Sequence, residues 1–151
     1  KIKFELTSAM KSAYEVFKEK AKLKEVYMSF EGNEEIFVWG DPKRIRQVIS
    51  NIAENAIRHT PENGKILISV VKIDDKNAKV SIRDWGEGIA PQDAGQLFKS
   101  FYQSSNGGRL GLGLCIAQDI VTNHDGKIWA QSDGPGTGAT FSFTLPVYEE
   151  K

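Results

Sequence analysis

The chain has 151 residues, 40% of them apolar, and its 20 Lys+Arg balance 20 Asp+Glu to a formal net charge of zero. This suits one folded domain, residues 1–151, and excludes a general polyanion binder, so neither nucleic acid nor direct membrane contact is expected. The single Cys115 excludes an internal disulfide and fits a reducing, cytoplasmic setting; no apolar run is long enough to cross a bilayer, and the initial Lys predicts a longer parent protein.

Residues 3–6 read as a short strand, and Thr7 or Ser8 is placed to cap a helix to residue 22 with Met10, Ala13, Tyr14, Phe17 and Ala21 on one face. Val26, Met28 and Phe30 alternate as in a strand, residues 31–35 form a turn, and residues 36–39 read as another short strand. A second helix follows from Pro42 to a stop at Pro61. Residues 65–73 and 78–84 read as a hairpin, residues 91–102 as a short helix, and residues 103–109 as a polar, glycine-rich loop. A third helix spans residues 112–123, and residues 128–131 and 139–145 form a last hairpin. The predicted fold class is α+β, a two-layer sandwich of a mixed, mostly antiparallel sheet covered on one face by helices.

The second helix is the most informative element. Asp41 suits its N-cap and Pro42 its first position, where no N–H partner is lost. Ile45, Val48, Ile49, Ile52, Ala53, Ala56 and Ile57 form the apolar stripe. Asn51, Asn55, Arg58 and His59 form a polar seam beside it, which points to a polyanion or a metal held at the edge of the core. Asp84-Trp85-Gly86-Glu87-Gly88 then places a carboxylate at a strand end before two glycines, suited to a flat ligand approached closely by backbone. It is no dinucleotide fingerprint: Pro91 stands where the third glycine belongs, and the preceding strands form a hairpin. Gly107-Gly108-Arg109-Leu110-Gly111-Leu112-Gly113-Leu114 leads into a helix and offers free N–H groups to phosphates, but lacks the Lys-Ser or Lys-Thr of a P-loop. In a third cluster, residues 136–141, the Thr140 hydroxyl is a candidate ligand contact.

In this order the blocks resemble the ATP-binding domain of sensor histidine kinases, within the wider group that includes gyrase, Hsp90 and MutL. Asn51-Ile52-Ala53-Glu54-Asn55-Ala56 resembles the family's N box, and Asp84-Trp85-Gly86-Glu87-Gly88 its G1 box. Leu97-Phe98-Lys99-Ser100-Phe101-Tyr102 resembles its F box, Gly111-Leu112-Gly113-Leu114 its G2 box, and Gly138-Ala139-Thr140-Phe141 its final glycine motif. The resemblance implies a Bergerat-type fold that binds ATP and Mg²⁺. By the same resemblance Asp84 accepts from the adenine amino group with Thr140 helping through water, and Ala56, Ile89 and Leu114 pack on the base. Gly86, Gly88, Gly111, Leu112 and Gly113 line the nucleotide. Asn55 is the implied Mg²⁺ ligand, Asn51 lies beside the phosphates, and Arg58 is a phosphate contact. His59 stands where Tyr is frequent. Asn55, Arg58 and Arg109 are the expected catalytic residues.

Within the group, position 51 discriminates. Gyrase-like ATPases carry a Glu there that activates water, whereas Asn51 is no general base at neutral pH. The expectation is weak hydrolysis and transfer of the γ-phosphoryl to a histidine. Gln103 replaces a frequent Arg, Leu110 a common Thr or Ser, and Arg109 a usual glycine whose place it fills with charge. His59 and His124 lie in no acceptor motif, and His124 reads as a cation at a helix C-terminus. The implied partners are therefore a dimerisation domain bearing the acceptor histidine, preceding residue 1, and a response regulator receiver domain. This stretch alone is expected to be an inactive monomer. The alternatives are a non-catalytic nucleotide-binding module and, further off, an ATP-hydrolysing clamp.

Overall fold

The structure, a computed structural model, describes residues 1–93, 95–99, 102–103, 109–111 and 113–149. Strand β1 (Ile2–Glu5) leads into α1 (Leu6–Leu23), followed by β2 (Tyr27–Glu31), β3 (Phe37–Gly40) and α2 (Pro42–His59). The hairpin β4 (Lys65–Lys72) and β5 (Asn77–Asp84) comes next, then the short pair β6 (Tyr102–Gln103) and β7 (Arg109–Gly111). Helix α3 (Gly113–Asn123) and the hairpin β8 (Ile128–Gln131) and β9 (Ala139–Pro146) complete the order.

The main sheet has five strands in the order β2-β4-β5-β9-β8, with β2 parallel to β4 and every other pair antiparallel. Alternation sends Ile66, Ile68 and Val70 of β4, Val80 and Ile82 of β5, and Phe141, Phe143 and Leu145 of β9 to one face, where they are buried. The three helices cover that face; the opposite face carries Ser69, Ser81 and Ser142 in register. The expected α+β two-layer sandwich is therefore the observed one. A separate ribbon pairs β1 with β3 and is held to the end of the chain by the Tyr148 N–H donating to Phe37 O at 2.7 Å.

Helix α2 follows the predicted logic. The Asp41 carboxylate accepts from the Lys43 and Arg44 N–H groups at 3.0 and 3.4 Å, and Pro42 opens the helix. Ile45, Ile49 and Ile52 are fully buried, each worth about 1.5–3 kcal/mol of apolar transfer. Asn55 belongs to the buried stripe, while Ile57 is only partly covered. At the far end the helix carbonyls find partners from outside: Thr60 Oγ1 donates to Ala56 O at 2.7 Å, and Lys24 Nζ donates to Ile57 O and Arg58 O at 2.7 and 2.9 Å.

Three local expectations are corrected. The cap of α1 is Glu5, not Thr7 or Ser8, whose N–H groups instead donate to the Glu5 carboxylate at 2.8 and 2.9 Å. Burial pushes the Glu5 carboxyl up, but hydrogen bonds from Ser8, Ile36 and Thr7 outweigh this and hold it below its ordinary value. Residues 91–99 form no α-helix among the described residues. Bonds from Asp93 N–H to Ala90 O, Gln96 N–H to Asp93 O and Lys99 N–H to Gln96 O close successive turns. Pro91 and Gly95 both disfavour a continuous helix, and the turns bury Asp93 and Leu97. The loop reading of residues 103–109 is partly replaced by the β6–β7 pairing, and residues 104–108 lie outside the described residues.

His124 is no helix-end cation. It is buried, its Nδ1–H donates to Ile120 O at 2.8 Å, and its Nε2 accepts the Asp41 N–H at 3.0 Å, a pattern only the neutral ring can satisfy. A Cβ on Gly40 would lie 2.6 Å from the ring, so the fit is close. His124→Ala should lower stability by about 1–3 kcal/mol in urea denaturation, because the half-buried Asp41 N–H loses its acceptor. An unchanged midpoint would show that the bond contributes nothing.

Candidate functional site

A cleft opens between the last turns of α2 and the ends of β5 and β9. Asn55, His59, Asp84, Gly88, Ile89, Ala90, Asp93, Leu97, Ala139 and Phe141 line it. The side chains arrive from several elements. Asn55 and His59 are one helical turn apart on α2, Asp84 ends β5, and Ala139 starts β9 directly opposite Asp84 in register.

Asp84 is 3% exposed. Its Oδ1 accepts the Gly86 N–H at 3.0 Å, and the Ala139 N–H also donates to its carboxylate. Burial pushes the Asp84 carboxyl above the usual aspartate range; the Gly86 and Ala139 N–H groups and the His59 ring pull it back, and Glu87 adds to the rise. A desolvated acceptor in a mostly apolar cleft suits the donor edge of a flat heterocycle.

The Gly86–Glu87 turn is seated on the end of α2. The Glu87 N–H donates to His59 O at 3.3 Å, and His59 Nδ1 lies 2.8 Å from Glu87 Oε1. A Cβ on Gly86 would lie 2.3 Å from His59 O, so glycine is required by backbone contact rather than by a ligand. Gly88 has φ +75° and passes so near Gly134 O that a Cβ would come within 2.1 Å. The remaining His59 nitrogen, Nε2, is buried with no hydrogen-bond partner among the described residues.

The predicted site residues divide. Asn55, His59, Asp84, Gly88 and Ile89 meet in the cleft, with Gly86 in the turn beneath it. Asn55 is 6% exposed, and no hydrogen bond from the described residues occupies its amide. Asn51 does not line the cleft; its Nδ2 donates to Gly113 O at 2.9 Å. Ala56 and Leu114 are buried in the core rather than lining the cleft. Arg58 is exposed and borders a second cavity with Lys24, Pro61 and Glu87; His59 lines both cavities.

Thr140 requires a correction. It pairs with Arg83, one residue from the Asp84–Ala139 pair, and strand alternation turns it to the opposite face. There it borders a different cavity with Arg83, Gln131 and Thr137, and Ala139 takes the place beside Asp84. Gly111 lies in β7, and Leu112 and the side chain of Arg109 lie outside the described residues. Sequence reasoning missed Glu87, Asp93, Leu97 and Phe141. Their only signal was membership of the motifs around residues 84–98 and 138–141, since the contacts that seat them are long-range.

Fold and cleft together are those of a nucleotide-binding ATPase domain with helices on one face of a mixed sheet. The family model described as "Histidine kinase-, DNA gyrase B-, and HSP90-like ATPase" matches residues 40–149, and the chain belongs to this family. The adaptive-response sensory kinase SasA of Synechococcus elongatus is 39% identical over 114 residues, 74% of this chain and 29% of that protein. The sensor histidine kinase WalK of Bacillus subtilis is 37% identical over 123 residues, 78% of this chain and 20% of that protein. This chain therefore spans under a third of the length of these curated relatives. Among solved structures, the catalytic domain of histidine kinase ThkA superposes with a TM-score of 0.83 at 33% identity, covering 95% of this chain and 93% of that one. ThkA has also been solved with the response regulator protein TrrA, at a TM-score of 0.81 and 31% identity, covering 97% of this chain and 41% of that one. No helix among the described residues is long and apolar enough to cross a membrane.

The raised Asp84 carboxyl sets a sign. Between the ordinary aspartate value and the Asp84 value, the folded chain holds a proton that the unfolded chain has released, so stability falls as pH rises through that window. Asp84→Asn should flatten this slope in denaturation measured across acidic pH, and should weaken ADP binding at neutral pH by at least about tenfold. An unchanged slope and unchanged ADP affinity would remove Asp84 from the site.

Proposed function

We propose that this chain binds ATP with Mg²⁺ in the Asp84 cleft and donates the γ-phosphoryl group to a histidine on a separate helical dimerisation domain, in the cytoplasm. The observation that carries this reading is the side-chain chemistry of α2. Asn55 offers a buried amide to the cleft, while the neighbouring position 51 is an amide too, bonded to Gly113 O. The nearby carboxylate, Glu54, is half exposed and 3.5 Å from Lys20, off the Asn51–Asn55 line. Among the described residues of α2, no carboxylate stands on the Asn51–Asn55 line to activate water, which supports slow hydrolysis.

The donor set fits Mg²⁺ in a particular way. No cluster of three or more His, Cys, Asp or Glu exists among the described residues to cage an ion. One amide oxygen at Asn55 matches an ion that keeps several waters and arrives with the substrate phosphates. Asn55 would hold it, and the ion's charge would offset that on the phosphates. Asp84 accepts from the adenine amino group, Ile89 and Phe141 pack against the base, and the buried His59 Nε2 is available to the nucleotide. Arg58 and Arg109 supply cationic charge toward the phosphates. The acceptor imidazole nitrogen forms its bond to the γ-phosphorus as the bond to the bridging oxygen breaks and ADP leaves. The phosphoryl group then passes to a response regulator receiver domain, in keeping with the assembly solved for ThkA. This stretch is monomeric and transfers nothing unless the acceptor domain is supplied.

Labelled ATP with Mg²⁺, incubated with this chain and the parent protein's helical acceptor domain, should label the acceptor histidine. Asn55→Ala should reduce the rate by at least about a hundredfold, and Arg109→Ala should slow transfer with little change in ADP affinity. ATP binding without acceptor labelling would make this a non-catalytic module. Rapid hydrolysis abolished by Glu54→Gln would make it a clamp.

A further inference from the structure

The base cleft has a floor that no cleft residue builds by itself. Ile89 enters from the 86–90 turn, which has no regular secondary structure, and Ala139 is the first residue of β9, directly after the irregular 132–138 turn. The side chain joining them is Ser132, which follows β8 and lines other cavities rather than this one.

A hydroxyl has one donor and two acceptor positions. Ser132 Oγ uses all three on backbone groups: it accepts the Ile89 N–H at 3.0 Å and the Gly134 N–H at 3.1 Å, and donates to Gly138 O at 2.7 Å. Gly138 precedes Ala139, which faces Asp84. Two further bonds run between the same segments, the Gly136 N–H to Glu87 O at 2.6 Å and the Gly138 N–H to Gly86 O at 3.2 Å. The Thr137 hydroxyl satisfies Gly134 O at 2.6 Å, which leaves Ser132 to Gly138. The contact has no room for compensation, since a Cβ on Gly88 would lie 2.1 Å from Gly134 O and 3.2 Å from Ser132 Oγ.

We infer that Ser132 is a positioning residue for nucleotide-base recognition: its hydroxyl fixes the spacing between Ile89 and Ala139, and so the width of the cleft above Asp84. This rests on the reading that the Asp84 cleft takes the base. Removing the hydroxyl leaves two N–H groups and one carbonyl without their partner; the Gly136–Glu87 and Gly138–Gly86 bonds still join the turns, but the tie at Ile89, where the base should insert, is lost.

The test compares the chain with Ser132→Ala and Ser132→Thr, using calorimetric titration with ADP and with adenosine, and amide exchange at Ile89. Ser132→Ala should bind ADP about tenfold more weakly. Adenosine affinity should fall by the same factor, because the effect is confined to the base, and the Ile89 amide should lose protection. Ser132→Thr, which keeps the hydroxyl, should restore all three. ADP affinity within twofold of the parent in Ser132→Ala, a loss for ADP without a loss for adenosine, or no rescue by Ser132→Thr would each overturn the inference. A parent chain that binds neither ligand would instead overturn the cleft reading, and this inference with it. Should Ser132→Ala not fold, Ser132→Cys keeps the shape with weaker hydrogen bonds and carries the same comparison.

Discussion

The last turn of α2 presents carbonyls with no partner inside the helix, and each is taken by a group from elsewhere in the chain. Thr60 Oγ1 takes Ala56 O, Lys24 Nζ takes Ile57 O and Arg58 O, and the Glu87 N–H takes His59 O. The last of these matters most, because it fastens the turn after β5 to the helix that carries Asn55. With Gly86 packed so near His59 O that no side chain fits, the separation between Asn55 and Asp84 is fixed by backbone contact. A helix end left to water would satisfy its carbonyls equally well but would not locate the turn. The cleft is a consequence of how one helix terminus is capped.

The same helix is tied along its length to α3. Asn51 Nδ2 reaches Gly113 O at the start of α3, and Asp41 N–H reaches His124 Nε2 at its end. The helices therefore run antiparallel, with a polar tie at each end and an apolar seam of Val48, Ile52, Leu114, Ala117 and Val121 available between them. Apolar packing alone fixes such a pair poorly against sliding, since shifts along the axis exchange similar contacts. The two directional bonds set the register. They also give Asn51 a structural task, since its amide N–H₂ is engaged by Gly113 O.

What could be read from the sequence, and what could not, follows from the range of the interactions. The cap, stripe and polar seam of α2 depend on spacings within one helix and could be read directly; Asn55 and Asp84 were expected to face one ligand, and the structure brings both into one cleft. Thr140 failed because a strand reverses its facing at every residue, and its pairing with Arg83 rather than Asp84 is a property of the sheet, not of the motif. Glu5 was passed over as a cap because Thr7 and Ser8 are the commoner capping types, yet Glu5 also accepts the Ile36 N–H from a distant loop at 2.9 Å. His124 was misread for the same reason, its partner Asp41 lying far back in the chain. Ser132 is a short polar residue in a turn, and turns everywhere favour such residues, while Glu87 is a carboxylate of the kind that usually faces solvent. Only the fold distinguishes those that join two segments from those that face solvent.

Asp84 shows what the arrangement costs and why the cost is retained. A carboxylate that folding buries is disfavoured in its charged form, and its raised proton affinity is the measure of that penalty. Two backbone N–H groups, from Gly86 and Ala139, offset part of it. A neutral side chain there would relieve the remainder, but it would also present a weaker acceptor to the cleft. The glycines that surround Asp84 serve the same end. They let the Gly86–Gly88 turn and the 134–138 turn approach closely enough for N–H groups rather than side chains to surround the carboxylate. The acceptor is thus held in place by backbone dipoles that do not titrate and have few alternative positions. Recognition by a buried charge of this kind requires that rigidity, because a loose carboxylate would draw water into the cleft and lose the advantage of its desolvation.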